Sequence, residues 1–172
     1  STPLDDISAA ADAVEAATGT RPAIALMSKN TINLLKQNES IQNAILAQNV
    51  TANIFMTDNR VKELFSNELG INIIVYAKQY KDESGTAKKF YPDGMVTLLP
   101  EGALGNTWFG VTPEEHRADK LDVTVVENGI AVSVETKFDP VQTITKASEI
   151  VLPSFERMDE TYMIKVLSSL SY

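Results

Sequence analysis

Cysteine is missing altogether from the 172 residues, which removes disulfides, thiolate nucleophiles and cysteine-bearing zinc sites in one step. It leaves the redox compartment unspecified. Histidine and tryptophan occur once each, as His116 and Trp108. A catalytic triad would rest on that single imidazole, and no G-x-S-x-G elbow is present to hold a nucleophile beside it. The phosphate-loop, H-E-x-x-H and calcium-loop patterns are also absent. No apolar run reaches the roughly 18 residues of a membrane helix. Basic residues are outnumbered 15 to 23, for a net charge of −8; a sequence-independent nucleic-acid surface needs the opposite balance.

What is present suits one ordinary domain, or one compact domain with a small extension. Hydrophobic residues make up 44%, enough for a real core. Thr2-Pro3-Leu4-Asp5 starts a helix, with Thr2 as cap and Ile7, Ala10, Ala11, Val14 and Ala17 on one face before Gly19. Ala23–Met27 reads as a buried strand. Ser28–Gln37 and Ser40–Gln48 read as short helices burying Ile32 and Leu35, then Ile41, Ala44 and Ile45. Asn53–Met56 is a short candidate strand. Asp58–Leu69 is the clearest helix, with Val61, Leu64, Phe65 and Leu69 inward and Gly70 at its end. Ile71–Tyr80 predicts one long strand, with Ile71, Ile73, Val75 and Ala77 inward. It is followed by a hairpin turn over 81–85 and a return strand over 86–91.

The stretch from Lys88 to Arg117 organises the chain. Pro92-Asp93-Gly94 is a turn, Met95–Leu99 a buried strand, and Pro100-Glu101-Gly102 its stop. Gly105 and Gly110 bracket Trp108-Phe109, an aromatic pair expected on a pliable loop. Such a pair serves a protein interface or plugs the domain's own core, and both readings stay open. Thr112-Pro113-Glu114-Glu115 signals a short capped helix. Beyond it, 121–127 and 130–138 flank Asn128-Gly129, a hairpin signature. Alternation places Ile130, Val132, Val134, Thr136 and Phe138 on one face, in register with Val123 and Val125, with Ser133, Glu135 and Lys137 on the wet face. Thr143–Leu152 predicts a strand ended by Pro153, and Met158–Ser168 a closing strand. Helices lead and strands follow, which is an α+β pattern.

The remaining polar features have plain explanations. Asp5-Asp6, Glu114-Glu115 and Asp159-Glu160 are adjacent carboxylates; neighbours one apart do not converge on a helix, and two pairs sit at helix starts. Lys78, Lys81, Lys88 and Lys89 read as a solvated edge that discourages strand pairing. His116 reads as a residue of a short surface helix. No metal or cofactor set emerges.

The run P-D-G-M-V-T-L-L-P-E-G-A-L-G-N-T-W-F-G-V-T-P-E-E, residues 92–115, resembles the major capsid protein E family of tailed bacteriophages. That family has a P-x-G-x-V-x-L-x-P-x-G-x-L-G strand and loop, then an aromatic-glycine pair and T-P-E. A second block, from Asp139-Pro140-Val141 through Lys146-Ala147-Ser148 to Leu152-Pro153-Ser154-Phe155, is similar to the family's C-terminal signature. The resemblance implies an α+β, HK97-like capsid fold. Its axial domain is a central sheet with flanking helices (residues 1–120), followed by elongated antiparallel peripheral strands (121–152) and a return strand to the axial domain (153–172). The family's long peripheral helix has no counterpart here. Family members extend further on the N-terminal side, so the resemblance implies the C-terminal portion of a subunit, without its N-terminal arm and extended loop.

The implied function is structural: a phage or prophage head protein that assembles into a DNA-filled icosahedral shell, not an enzyme, with no cofactor. Implied partners are other copies in pentamers and hexamers, with scaffold and portal proteins as further candidates, and no specific nucleic acid or membrane. The implied location is the virion, reached through the bacterial cytoplasm. Glu101, Gly102, Trp108, Phe109, Phe155 and Arg157 are the candidate subunit-interface residues. Alternatives are a microcompartment shell of the same fold, similar to encapsulin, or a small hydrolase using His116.

Overall fold

The computed structural model of the chain describes residues 2–47, 55–116, 122–126, 130–138 and 141–165. In chain order its elements are α1 (Pro3–Thr18), β1 (Ile24–Met27), α2 (Lys29–Gln37), α3 (Glu39–Ala47), α4 (Asp58–Leu69), β2 (Asn72–Val75), β3 (Gln79–Lys81) and β4 (Ala87–Lys89). Then follow β5 (Met95–Leu99), β6 (Gly105–Gly110), α5 (Pro113–His116), β7 (Asp122–Val126), β8 (Ile130–Phe138), β9 (Val141–Ser148), β10 (Ile150–Phe155), a 3-10 turn (Met158–Glu160) and β11 (Tyr162–Lys165). The mixed α+β class expected from the sequence is what is found. Two compact units divide the chain: Ser1–Gly102 with Arg157–Tyr172, and Ala103–Glu156.

The first unit holds a four-stranded sheet in the order β11-β5-β1-β2. β1 and β2 run parallel, joined through α2, α3 and α4, while β5 lies antiparallel to both β1 and β11. Alternate residues of the strands point into the core: Ala25, Met27, Ile73, Val96 and Leu98 are buried. Helical spacing brings Ile7, Ala11, Ile32, Ile41, Ile45, Val61, Leu64 and Phe65 into the same apolar cluster. Gly19 and Gly70 end α1 and α4 in the left-handed conformation.

Several expectations shift here. Thr2 makes no side-chain cap; its carbonyl accepts Asp6 N–H at 3.1 Å instead. Ala17 is exposed, because ten residues of helix carry it roughly 80° off the line of Ile7. Ala44 is half-buried. Of the candidate strand at 53–56, only Phe55 and Met56 are described, and neither is in a strand. The predicted strand Ile71–Tyr80 breaks after Val75, where its partner β1 ends at Met27. Tyr76 N–H closes that ladder on the Met27 carbonyl at 2.9 Å, and Ala77 is left exposed. The closing strand starts only after a 3-10 turn, and its Tyr162 stays exposed because β11 is an edge strand. Residues 166–168 of that expected strand lie outside the described residues.

Two polar networks fix the connections. Ser28 caps α2, its hydroxyl accepting Thr31 N–H at 3.2 Å and donating to Asp93 at 2.6 Å. Thr31 Oγ1 in turn accepts Gly94 N–H at 3.1 Å. Ser28 and Thr31 are both buried, so one side-chain pair ties the start of α2 to the turn 63 residues or more further on. In the β3–β4 hairpin, Asp82 Oδ1 accepts Ser84 N–H at 3.0 Å, Thr86 N–H at 2.9 Å and the Ser84 hydroxyl at 2.6 Å, and Lys88 Nζ lies 3.0 Å from Oδ2.

The second unit contains a three-stranded antiparallel sheet, β7-β8-β9, and a separate two-stranded ribbon, β6-β10. α5 packs on the three-stranded sheet. Thr112 caps α5, accepting Glu115 N–H at 3.2 Å. Asn128-Gly129 lies outside the described residues, but the strands on either side pair as Val126 with Ile130 and Val123 with Ser133. Val123 and Val125 therefore stand opposite Ser133 and Ala131, not on the face of Val132 and Val134. Ser133 is buried and Val134 exposed, the reverse of the expected faces. A one-residue difference in register is enough to exchange the two sides of a strand. The strand expected over Thr143–Leu152 divides at Glu149, its halves joining different sheets. Pro153 sits inside β10 rather than ending it. A two-stranded ribbon leaves every second N–H facing away from the partner, where proline is tolerated.

Ser28→Ala should lower stability by about 1–3 kcal/mol, since it removes a helix cap and a partner of two buried groups; urea unfolding with an unchanged m-value checks this. The Asp82 carboxyl is held down to about 2 by the Ser84 hydroxyl, Lys88 and the Thr86 N–H. Its stabilising contribution should be complete above about pH 4 and lost as pH falls through about 2, readable as the titration midpoint of the Asp82 carboxyl by NMR.

Candidate functional site

The six candidate interface residues separate into two groups. Glu101, Gly102 and Arg157 belong to the first unit, at the points where the chain leaves and re-enters it. Gly102 has φ +90°, a conformation costly for any residue with a Cβ. Arg157 Nη1 donates to the Glu101 carbonyl at 3.0 Å, and Nε donates to both carboxylate oxygens of Glu160 at 3.1 Å. A second arm, Nη2, reaches Glu160 Oε2 at 2.5 Å. This forked pairing raises the Arg157 pKa and lowers that of Glu160. Arg157 thus acts within its own unit, holding the exit and the return of the chain side by side.

Trp108, Phe109 and Phe155 lie in the second unit, on the β6–β10 ribbon. The aromatic pair is on a strand, not a loop: Trp108 stands opposite Leu152 and Phe109 opposite Val151. Residues directly opposite share a face, so Trp108 with Leu152 forms one side and Phe109 with Val151 the other. Trp108 is 61% exposed, Leu152 65% and Phe155 65%. Trp108 is not among the described residues that are buried. Ile150, Val151 and Val111 are also exposed. Ile150, Val151 and Leu152 form an apolar run before Pro153, and such a run before a proline is the sequence signal of an edge ribbon.

Glycine makes this ribbon possible. A Cβ at Gly105 would sit 1.9 Å from the Ser154 carbonyl oxygen and 2.9 Å from Phe155 Cα. At Gly110 the nearest atom is Ile150 Cγ2 at 3.0 Å. The first clash is with backbone, the second with a side chain that can turn. At one end of the ribbon Asn106 donates to Glu156 at 2.9 Å, and Glu156 N–H donates to the Leu104 carbonyl at 2.9 Å. Thr112 and Ser133 of this unit are buried. His116 is exposed at the end of the four-residue α5. No metal-holding group of acids and histidine occurs among the described residues, and no helix there is long and apolar enough to cross a membrane.

The sequence matches the family of phage major capsid protein E over residues 1–166. The chain belongs to the phage major capsid protein E family. Its fold is similar to that of a protein described as a prophage capsid protein of Escherichia coli CFT073, with a TM-score of 0.64 at 15% identity over 97% of this chain and 48% of that one. It is also similar to a phage-related protein of Bordetella bronchiseptica RB50, with a TM-score of 0.58 at 16% identity over 96% of this chain and 51% of that one. This capsid-family chain therefore spans about half the length of the solved structures it matches. No curated protein matches it by sequence.

Gly105→Ala in this family member should part β6 from β10 and cost about 1–3 kcal/mol, whereas Gly110→Ala should cost less. Hydrogen exchange would show faster amide exchange across 105–110 and 150–155 for the first variant, with β1 and β5 protected in both.

Proposed function

We propose that this chain is the shell-forming part of a phage or prophage major capsid protein, with an HK97-like fold and a structural, non-enzymatic role. Membership of the capsid family and the likeness of fold to a prophage capsid protein support the reading. The observation that carries it furthest is a two-stranded ribbon with exposed apolar side chains on both faces. An isolated ribbon of this kind is marginal in water, and contiguous exposed apolar surface marks a place where another protein binds. Neighbouring copies of the subunit, arranged in pentamers and hexamers, are the proposed occupants. The proposed axial domain takes residues 1–120, the peripheral strands 121–152 and the return strand 153–172. Scaffold and portal proteins are proposed as further partners, and the virion, assembled in the host cytoplasm, as the location.

The acidic balance of the chain fits a container wall. Fifteen basic against 23 acidic residues leave little counterion-release affinity for packaged DNA. His116 reads as a surface residue of α5 with no part in catalysis.

Light scattering and electron microscopy over a concentration series test the reading: association into discrete multimers supports it, and a chain that stays monomeric at every concentration overturns it. Trp108→Ser with Leu152→Ser should weaken that association by about 2 kcal/mol or more. The melting of the separate chain should hardly change, because both side chains are already exposed.

A further inference from the structure

The outer edges of the β6–β10 ribbon are not alike. Glu156 N–H donates to the Leu104 carbonyl at 2.9 Å, which makes Leu104 and Glu156 a hydrogen-bonded pair at the head of the ladder. Such pairs alternate with non-bonded ones along antiparallel strands. Asn106 with Ser154, Trp108 with Leu152 and Gly110 with Ile150 therefore bond to each other, while Gly105, Thr107 and Phe109 aim their backbone N–H and C=O groups away from β10. Among the described residues no further strand takes up those groups, and Asn106, Thr107, Trp108 and Phe109 are all exposed. On the β10 side the outward-facing residues are Val151, Pro153 and Phe155, and proline brings no donor there. Natural proteins blunt open edges with lysine, proline or inward-pointing charge. β10 has its proline; Gly105–Gly110 has none of these.

We infer that the free edge of β6 pairs with the same edge of a second copy, antiparallel and about a two-fold axis at Thr107, an inference that rests on the capsid reading above. Outward-facing residues must meet outward-facing residues. The register that engages Gly105, Thr107 and Phe109 together sets Gly105 against Phe109 of the second copy, Thr107 against Thr107, and Phe109 against Gly105. On the other face Trp108 stands beside Asn106 of the second copy. Each aromatic ring thus lies next to a smaller side chain and not against another ring, and the threonines meet as a hydrogen-bonding pair. The strand is complementary to itself, which is what a two-fold contact requires; that self-complementarity selects a second copy as the occupant. Charge plays no local part, because neither Gly105–Gly110 nor Ile150–Phe155 carries an ionisable side chain. Main-chain bonds supply the affinity, as in other strand additions. Pentamers and hexamers are closed by heterologous contacts, so a two-fold contact of this kind joins one ring to the next.

Sedimentation of the full chain tests the pairing, at about 0.15 M salt, where the mutual repulsion of chains of net charge −8 is screened beyond about 8 Å. Thr107→Pro removes both N–H donors exchanged at the axis. It leaves the β6–β10 ladder its bonds, since Thr107 stands opposite Pro153 in a non-bonded pair. Self-association should weaken about tenfold or more, with amide exchange across 105–110 and 150–155 unchanged. A second variant decides the matter where proline disturbs the ribbon. The chain has no cysteine, so Thr107→Cys adds a lone thiol that meets its own image across the axis. Hydrogen-bonded pairs hold their Cα atoms about 5.5 Å apart, within disulfide range. Oxidised glutathione should therefore link Thr107→Cys into dimers, and leave Val151→Cys, exposed on the other strand, largely unlinked. Unchanged association of a folded Thr107→Pro, or cross-linking of Thr107→Cys no faster than that of Val151→Cys, overturns the edge pairing while leaving assembly through other surfaces standing. A chain monomeric at every concentration removes the capsid reading itself.

Discussion

β5 is the strand on which the first unit depends. Met95–Leu99 pairs with β1 on one side and with β11 on the other, and Val96 and Leu98 from its inner face reach the core. Without β5 the parallel pair β1–β2 would be an open two-stranded fragment, and β11 would have no partner in this sheet. Because β11 returns from beyond residue 156, the pairing also brings together the two ends of the 103–156 excursion. The Arg157 fork reinforces that closure a few residues away, binding the Glu101 carbonyl and Glu160 at once. One hydrogen-bonded strand thus lets a long insertion be made without opening the core, at a loop-closure cost that grows only slowly with length.

The two units rest on different physics. The first is held by burial: alternate strand residues and helical faces meet in a single apolar cluster, and the polar Ser28–Thr31–Asp93 network registers α2 against the turn before β5. The second is laced by backbone ladders, and its β6–β10 ribbon carries large apolar groups on the outside.

Most first-unit elements were legible in the sequence because their signals are local. The 3.6-residue spacing in Asp58–Leu69, the glycine after it, the run Ala23–Met27 and the turn at Pro92-Asp93-Gly94 each state their own conformation. The α+β class followed from their order, and the block from Pro92 to Glu115 pointed to the capsid family now shown by the match over residues 1–166. The candidate aromatic residues were found by composition alone, because a tryptophan between glycines is conspicuous.

What the sequence determined by itself, then, was the set of elements, the buried faces of the helices, and the family. Pairing was decided only in three dimensions. That β2 stops where β1 stops, that Glu149 separates two sheets, that Ser133 and not Val134 is buried, and that Trp108 lies on a strand opposite Leu152 all depend on partners distant in the chain. A strand's two faces differ by a single residue of register, and register is set by the neighbour. A helix satisfies its own hydrogen bonds and shows its faces in its own sequence; a strand does neither until another segment lies beside it.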